Sequence, residues 1–203
     1  MSSLFSDTFN EIKQEAESAL REKGSKFLAF SFLVKNESEV KQKLQSIKQK
    51  FPDATHHCYA YILGEGQEAQ RANDDGEPGN SAGRPILRAI ISAELTNVLV
   101  VVVRYFGGTM LGIPGLIQAY GDSAKSVLLL SEKVQKIQED FFEIIANFEH
   151  EQSIHQLMKP YDYRVVNREY LEGVVYIVAI RRNQAMQFLS KAEEAYLLQV
   201  KSV

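Results

Sequence analysis

The sequence predicts an α+β protein of two domains, residues 1–135 and 136–203. Three observations support this class. Some strand-like runs are apolar on both faces, amphipathic helices separate the strands, and the pattern of strands and helices starts again after residue 131. The chain has 203 residues, 45% of them hydrophobic and 24% charged, which is enough for one large domain or two smaller ones.

The first domain begins with strand-like runs between residues 8 and 35. In KFLAFSFLV, residues 26–34, apolar side chains occupy both faces, so this strand belongs in the middle of a sheet. The segment NESEVKQKLQSIKQKFP is a helix that Asn36 or Ser38 can cap. Lysines flank its apolar stripe and form a solvated rim, with a phosphate-facing role as the second interpretation. These lysines are Lys41, Lys43, Lys48 and Lys50.

Two further strands and two helices complete this domain. THHCYAYIL at 55–63 and the β-branched NVLVVVVRYF at 97–106 are predicted to be strands, the second fully buried. SAGRPILRAIISAEL is predicted to be a helix with Ser81 as N-cap and Pro85 in the first turn. Another helix starts at about Pro114.

The second domain follows the polar segment 131–139, which serves as a hinge or as an entering strand. Strand patterns occur in FFEIIANFE, YRVVNREYL, VVYIVAIRR and LLQVKSV. Helical patterns occur in EQSIHQLMKPY and NQAMQFLSKAEEAY. Their order, βαββαβ, is typical of a ferredoxin-like domain.

Composition indicates a cytoplasmic protein without membrane association. Cys58 is the only cysteine, the N-terminus lacks the features of a secretory signal, and the apolar run 98–103 is too short to span a bilayer. The net charge of −3 and pI of about 5.9 argue against a non-specific nucleic-acid binder, although residues 11–50 leave a local basic face open.

The acidic loop, residues 74–78, carries Asp74, Asp75 and Glu77 around Gly76 and Pro78. Carboxylates are costly to bury unless they are paired, so this loop is expected to be exposed or clamped by a cation.

Arg104 is the best clamp for the acidic loop, because a guanidinium can hold a carboxylate in bidentate fashion. We therefore expect residues 74–78 and 104–108 to lie side by side. Replacing Asp75 and Glu77 with their amides is expected to cost about 1–2 kcal/mol of stability.

Metal binding and hydrolysis are the alternatives at this loop. His56 and Cys58 share one face of a strand while His57 points the other way, and two ligands do not make a metal site, so we predict no metal. His57, Asp75 and Glu77 could instead perform acid–base hydrolysis. No G-x-S-x-G nucleophile motif accompanies them, and Asp-Gly is common turn chemistry.

The segment GGTMLG has the glycine spacing of a phosphate loop, from Gly107 to Gly112. Ile113 and Pro114 stand where lysine and serine or threonine are needed, and no G-x-G-x-x-G occurs, so no nucleotide cofactor or other cofactor is predicted. The glycines are expected to permit a tight strand-to-helix crossing. Arg104 and the free N–H groups of the next helix could still hold an anion or a phosphate backbone.

Three segments, DATHHCYAYILG, NDDGEPGNSAGRPIL and NVLVVVVRYFGGTMLGIPGLIQAYGDSAKSVL, together resemble the IMPACT family and in particular its bacterial YigZ-like branch. The resemblance implies a first domain of the ribosomal-protein-S5-domain-2-like type and a ferredoxin-like second domain, similar to domains four and five of elongation factor G. Eukaryotic members regulate translation by keeping an activator away from a kinase that acts on an initiation factor. For bacterial members the resemblance implies nucleic-acid or ribosome binding.

The family's marked positions, together with Arg84, define the expected binding surface. It comprises Asp74, Asp75, Gly76, Glu77, Pro78, Gly83, Arg84, Arg104, Tyr105, Phe106, Gly107, Gly108 and Gly112. The chain departs from the family pattern at Pro114 and Gln118, where glycine and arginine are expected, and at residues 79–81, where the family usually has Ser-Gly-Thr.

These observations favour a non-enzymatic, translation-linked protein that contacts RNA, the ribosome or a translation-regulatory protein. The alternatives are the hydrolase and a protein-interaction module that binds no nucleic acid.

Overall fold

The computed structural model describes residues 7–203, which form two compact units. The first comprises Phe9–Lys136, and the second comprises Ile137–Val203 with Asp7 and Thr8. Both combine helices with antiparallel sheets, so the predicted α+β class is confirmed. Within these residues no helix combines the length and hydrophobicity needed to cross a membrane.

The first unit is built on a five-stranded antiparallel sheet of order β2-β3-β6-β4-β5, and β1 and β7 form a separate two-stranded sheet. The strands are β1 (Thr8–Ile12), β2 (Ala16–Glu22), β3 (Ser25–Leu33), β4 (His56–Leu63), β5 (Ala69–Asn73), β6 (Val98–Tyr105) and β7 (Lys133–Ile137). The polar segment at 131–139 is therefore largely a strand, as one of its two interpretations predicts.

Helices cover both faces of this sheet. They are α1 (Glu37–Lys50), α2 (Gly83–Ser92) and α3 (Gly112–Leu130). Helices α2 and α3 bury one face together with Phe27 and Val102, whereas α1 belongs to the core on the other face with Phe30 and Val101. Two buried faces explain why β3 and β6 carry apolar side chains on both faces instead of alternating.

The second unit has the predicted βαββαβ order. Its elements are β8 (Glu139–Ala146), α4 (Glu151–Met158), β9 (Tyr163–Tyr170), β10 (Val174–Arg181), α5 (Arg182–Glu193) and β11 (Gln199–Ser202). The strands form an antiparallel sheet of order β11-β8-β10-β9. Phe142 and Tyr176 of the sheet pack with Ile154 of α4 and Phe188 of α5 in one core.

One of the two predicted helix caps is correct. The side chain of Asn36 accepts a hydrogen bond from the backbone N–H of Glu39, as predicted for α1. Ser81 does not cap α2, because the helix begins at Gly83 and the Ser81 hydroxyl donates to the carbonyl of Pro78.

Candidate functional site

Asp74 supplies the missing cap of α2. Its Oδ1 accepts hydrogen bonds from the backbone N–H groups of Ala82 and Gly83, at 2.9 and 2.8 Å, and its Oδ2 accepts from that of Asn80 at 2.9 Å. The first N–H groups of a helix have no partner within the helix, and a carboxylate is a strong acceptor for them. The acidic loop is therefore built into the start of α2. Sequence reasoning missed this role because Asp74 lies eight residues before Ala82, outside the usual capping spacing.

Asp75 and Gly76 form the turn of the acidic loop. Both have positive φ angles, 41° and 90°, a conformation in which glycine carries no steric cost. The carboxylate of Asp75 accepts from the backbone N–H of His57 at 2.7 Å and lies 3.5 Å from Nζ of Lys48. Asp75 thus joins the loop to β4 and to α1.

Glu77 and Arg104 form a buried ion pair. Nη1 of Arg104 donates to Oε1 of Glu77 at 2.6 Å, and the hydroxyl of Tyr120 donates to the same oxygen at 2.7 Å. The two charged side chains are only 3% and 6% exposed. The predicted contact between the two segments is confirmed, but the predicted bidentate geometry is wrong, because Nη2 of Arg104 points to Oγ of Ser25 at 3.4 Å.

Arg104 lies between two aromatic rings. Its guanidinium carbon is 5.5 Å from the ring centres of both Phe27 and Phe106, and its Nε is buried without a hydrogen-bond partner in the described part of the chain. The guanidinium therefore neutralises the buried carboxylate of Glu77 and is not available to a phosphate at the surface.

Cys58 is an inert thiol in this arrangement. Its Sγ contacts the carbonyl of Asp74 at 3.0 Å and the hydroxyl of Tyr120 at 3.3 Å. Burial raises the pKa of Cys58 to about 12, and burial also raises the pKa of Tyr120. A thiol that stays protonated at neutral pH is a poor nucleophile. Among residues 7–203, no three His, Cys, Asp or Glu side chains are grouped to hold one metal ion.

The three residues of the hydrolase alternative do not converge. Nε2 of His57 lies 3.0 Å from the carbonyl of Phe51, and its Nδ1 is 3.8 Å from Asp75. Glu77 instead lies 3.8 Å from Nε2 of His56. Neighbouring residues of a strand point to opposite faces, so Glu77 and the His57 ring belong to different sides of β4.

The glycine loop, residues 106–111, connects β6 to α3 and packs against the β2–β3 hairpin. A Cβ added to Gly107 would lie 1.9 Å from the backbone of Gly24, so no larger residue fits there. The backbone N–H of Gly107 donates to Oγ of Ser25, the same hydroxyl that Arg104 approaches. The glycines thus permit a close backbone approach, as the sequence predicts.

The glycine loop carries two exposed apolar side chains, and the hairpin that packs against it carries two exposed lysines. Phe106 is 48% exposed and Met110 85% exposed. Lys23 precedes Gly24 in the hairpin, and Lys26 pairs with Tyr105 across β3 and β6. Neither lysine contacts an acidic side chain within the described residues.

The predicted surface residues differ in their exposure. Buried are Glu77, Gly83 and Arg104, and partly exposed are Asp74, Asp75 and Tyr105. Exposed are Gly76, Pro78, Arg84, Phe106, Gly107, Gly108 and Gly112. The buried members hold the two loops in place, and the exposed members present the surface.

Comparison with known proteins gives consistent matches. Residues 23–128 match the family model described as the Impact N-terminal domain. The IMPACT family member YvyE of Bacillus subtilis is 41% identical over 117 residues, covering 58% of this chain and 54% of that protein. An IMPACT family member of Haemophilus influenzae is 29% identical over 174 residues, covering 85% and 84%. A crystal structure described as that of a hypothetical protein superposes with a TM-score of 0.70 at 25% identity, covering 98% of both chains.

Proposed function

Because the chain belongs to the IMPACT family, of the YigZ-like type, we propose that it is a translation-associated binding protein that contacts RNA within a ribosomal complex. The eukaryotic members of the family regulate translation, and the resemblance to them points to translation as the process in which this chain takes part. The observation that carries the proposal is the exposed glycine loop, which the buried Glu77–Arg104 pair and Ser25 hold in place.

The construction of this loop suits binding more than catalysis. Exposed apolar groups that are rimmed by polar residues commonly mark interaction sites. A loop whose conformation is already fixed loses little conformational entropy when it binds. The carboxylates of Asp74 and Asp75 are partly exposed, but each already accepts a hydrogen bond from a backbone N–H group.

Single-stranded RNA is bound through base stacking and phosphate contacts, which can be made here by Phe106, Lys23 and Lys26. An exposed ring can stack on a base, and lysines free of acidic partners can contact phosphates. Three of the four lysines on α1 lie near carboxylates, namely Lys43 near Glu15, Lys48 near Asp75 and Lys50 near Glu17. We therefore assign the phosphate contacts to the hairpin lysines and not to α1.

A protein partner is the second candidate, and Met110 favours it. Its side chain is unbranched and polarisable, and it adapts to varied apolar surfaces. The net charge of −3 also suits a partner other than bare nucleic acid.

Cosedimentation with purified bacterial ribosomes tests the proposal. We expect the wild type and the control Leu129→Ala, at an exposed position of α3, to sediment with ribosomes. Phe106→Ala should weaken binding about tenfold, since stacking on one base contributes on the order of 1–3 kcal/mol. Lys23→Glu with Lys26→Glu should weaken it and reduce its salt dependence.

The other outcomes are equally informative. Binding that survives ribonuclease digestion of the ribosomes would favour the protein partner. A wild-type protein that does not sediment with ribosomes, or variants that bind as it does, would refute the proposal.

A further inference from the structure

Strand β9 is an uncovered edge of the second unit's sheet. All eight of its residues are exposed, including Val166 at 46% and Tyr170 at 51%. An edge strand offers a row of unpaired N–H and C=O groups to another strand. The opposite edge, β11, has only four residues and carries Lys201, two features that discourage such pairing.

We propose that β9 pairs with β9 of a second copy of this chain in an antiparallel arrangement. The two-fold axis passes between Val166 and Asn167. Tyr163 then faces Tyr170 of the second copy, and Arg164 faces Glu169. The interface is isologous and closed, so it produces a dimer and not a filament.

The charges of β9 select this pairing. Arg164 facing Glu169 occurs twice by symmetry, and opposite charges directly across a sheet are stabilising. In the two neighbouring two-fold registers, Arg164 would instead lie opposite Asn167 or Leu171, neither of which carries a charge. Glu169 has no cationic partner within the described residues, since its Oε1 accepts only from the Asn167 amide. Arg164 contacts Glu139 but is largely exposed, so it can also reach the second copy.

An irregularity in β9 makes the backbone compatible with this pairing. Backbone groups alternate in direction along a strand, so residues an odd number apart, such as Arg164 and Glu169, normally point opposite ways. The register between β9 and β10 shifts near the middle of β9, which adds one residue. As a result Arg164 and Glu169 lie opposite Ala179 and Val175, which are an even number of residues apart. The two residues therefore point in the same direction and can pair across the axis.

The dimer is independent of the proposed ribosome contact. It uses main-chain hydrogen bonds and the side chains of the second unit, whereas that contact uses the glycine loop of the first. A failure of either proposal leaves the other standing.

Sedimentation velocity of the full chain over a concentration series tests the dimer. We expect a reversible monomer–dimer equilibrium. Glu169→Arg, which breaks no ion pair among residues 7–203, should weaken the dimer about tenfold, because it places arginines opposite one another at two positions. Arg164→Glu should do the same, and the double variant with both changes should restore the dimer. Gln199→Arg on β11, which adds an arginine at an exposed position of the opposite edge, is the control and should leave the dimer unchanged.

Several results would overturn the proposal. These are a monomer at every concentration, a dimer insensitive to Glu169→Arg, a double variant that stays monomeric, or assemblies that grow beyond two copies.

Discussion

At the residue scale, Glu77 is the centre of the first unit's site. Its Oε1 receives hydrogen bonds from Arg104 and Tyr120, and Arg104 in turn approaches the Ser25 hydroxyl that anchors Gly107. One buried carboxylate thus connects the acidic loop, β6, α3 and the β2–β3 hairpin. Removing one partner of a buried ion pair leaves the other charge uncompensated.

Amide substitutions separate the roles of Glu77 and Asp75. Glu77→Gln should lower the free energy of unfolding by about 3 kcal/mol, because it leaves the Arg104 charge buried. This single change alone exceeds the cost of about 1–2 kcal/mol expected from the sequence for replacing both Asp75 and Glu77 with their amides. Asp75→Asn should cost only about 1 kcal/mol, since the amide oxygen can still accept from His57. Urea denaturation measures both values.

The double variant Glu77→Leu with Arg104→Met is the control for the ion pair. Replacing both charges with apolar groups removes the uncompensated charge, so it should be more stable than Glu77→Gln. Equal losses for Glu77→Gln and Asp75→Asn would contradict the assignment of Glu77 as the buried partner.

Sequence reasoning could pair the acidic loop with Arg104 because an acid cluster requires a cation. It could not find Tyr120 or Ser25, since neither belongs to a recognisable sequence motif and each is far along the chain from the loop. The exposed lysines of the hairpin were missed for the same reason, because only the fold brings Gly24 onto Gly107.

At the element scale, α2 depends on a carboxylate from outside the helix. Asp74→Ala should cost about 2 kcal/mol, because the N–H groups of Asn80, Ala82 and Gly83 lose their acceptor. Asp74→Asn keeps an amide oxygen there and should cost clearly less. Urea denaturation with far-ultraviolet circular dichroism compares the two.

A wild-type midpoint for Asp74→Ala would mean that the cap contributes nothing to α2. An equal loss for Asp74→Asn would instead show that the negative charge, and not the acceptor, is what the helix requires.

Element prediction succeeded where local rules apply. Apolar runs on both faces identified β3 and β6, and the Asn36 cap identified the start of α1. The prediction failed at Ser81, because capping rules search the adjacent residues while the acceptor comes from a loop that folds back. The irregularity in β9 also has no sequence signal, since it depends on the partner strand.

At the scale of the whole molecule, the first unit has a core on each face of its five-stranded sheet, and the second unit has one core against its four-stranded sheet. The order of elements was predictable because hydrophobic periodicity distinguishes strands from helices. The contact between the acidic loop and Arg104 was the only contact between distant segments that the sequence predicted. Other such contacts depend on the order of the strands, which is decided by non-local pairing. Independent folding of the two domains, divided at residues 135 and 136, stays a prediction.

Photo-crosslinking from the glycine loop tests the central claim most directly. A photoreactive phenylalanine analogue replaces Phe106 in one protein and the exposed Leu129 of α3 in a control, and each is irradiated with ribosomes. We expect RNA to be crosslinked from position 106 and not from position 129. Equal crosslinking from both positions, or none from position 106, would contradict the proposal that the glycine loop is the binding surface.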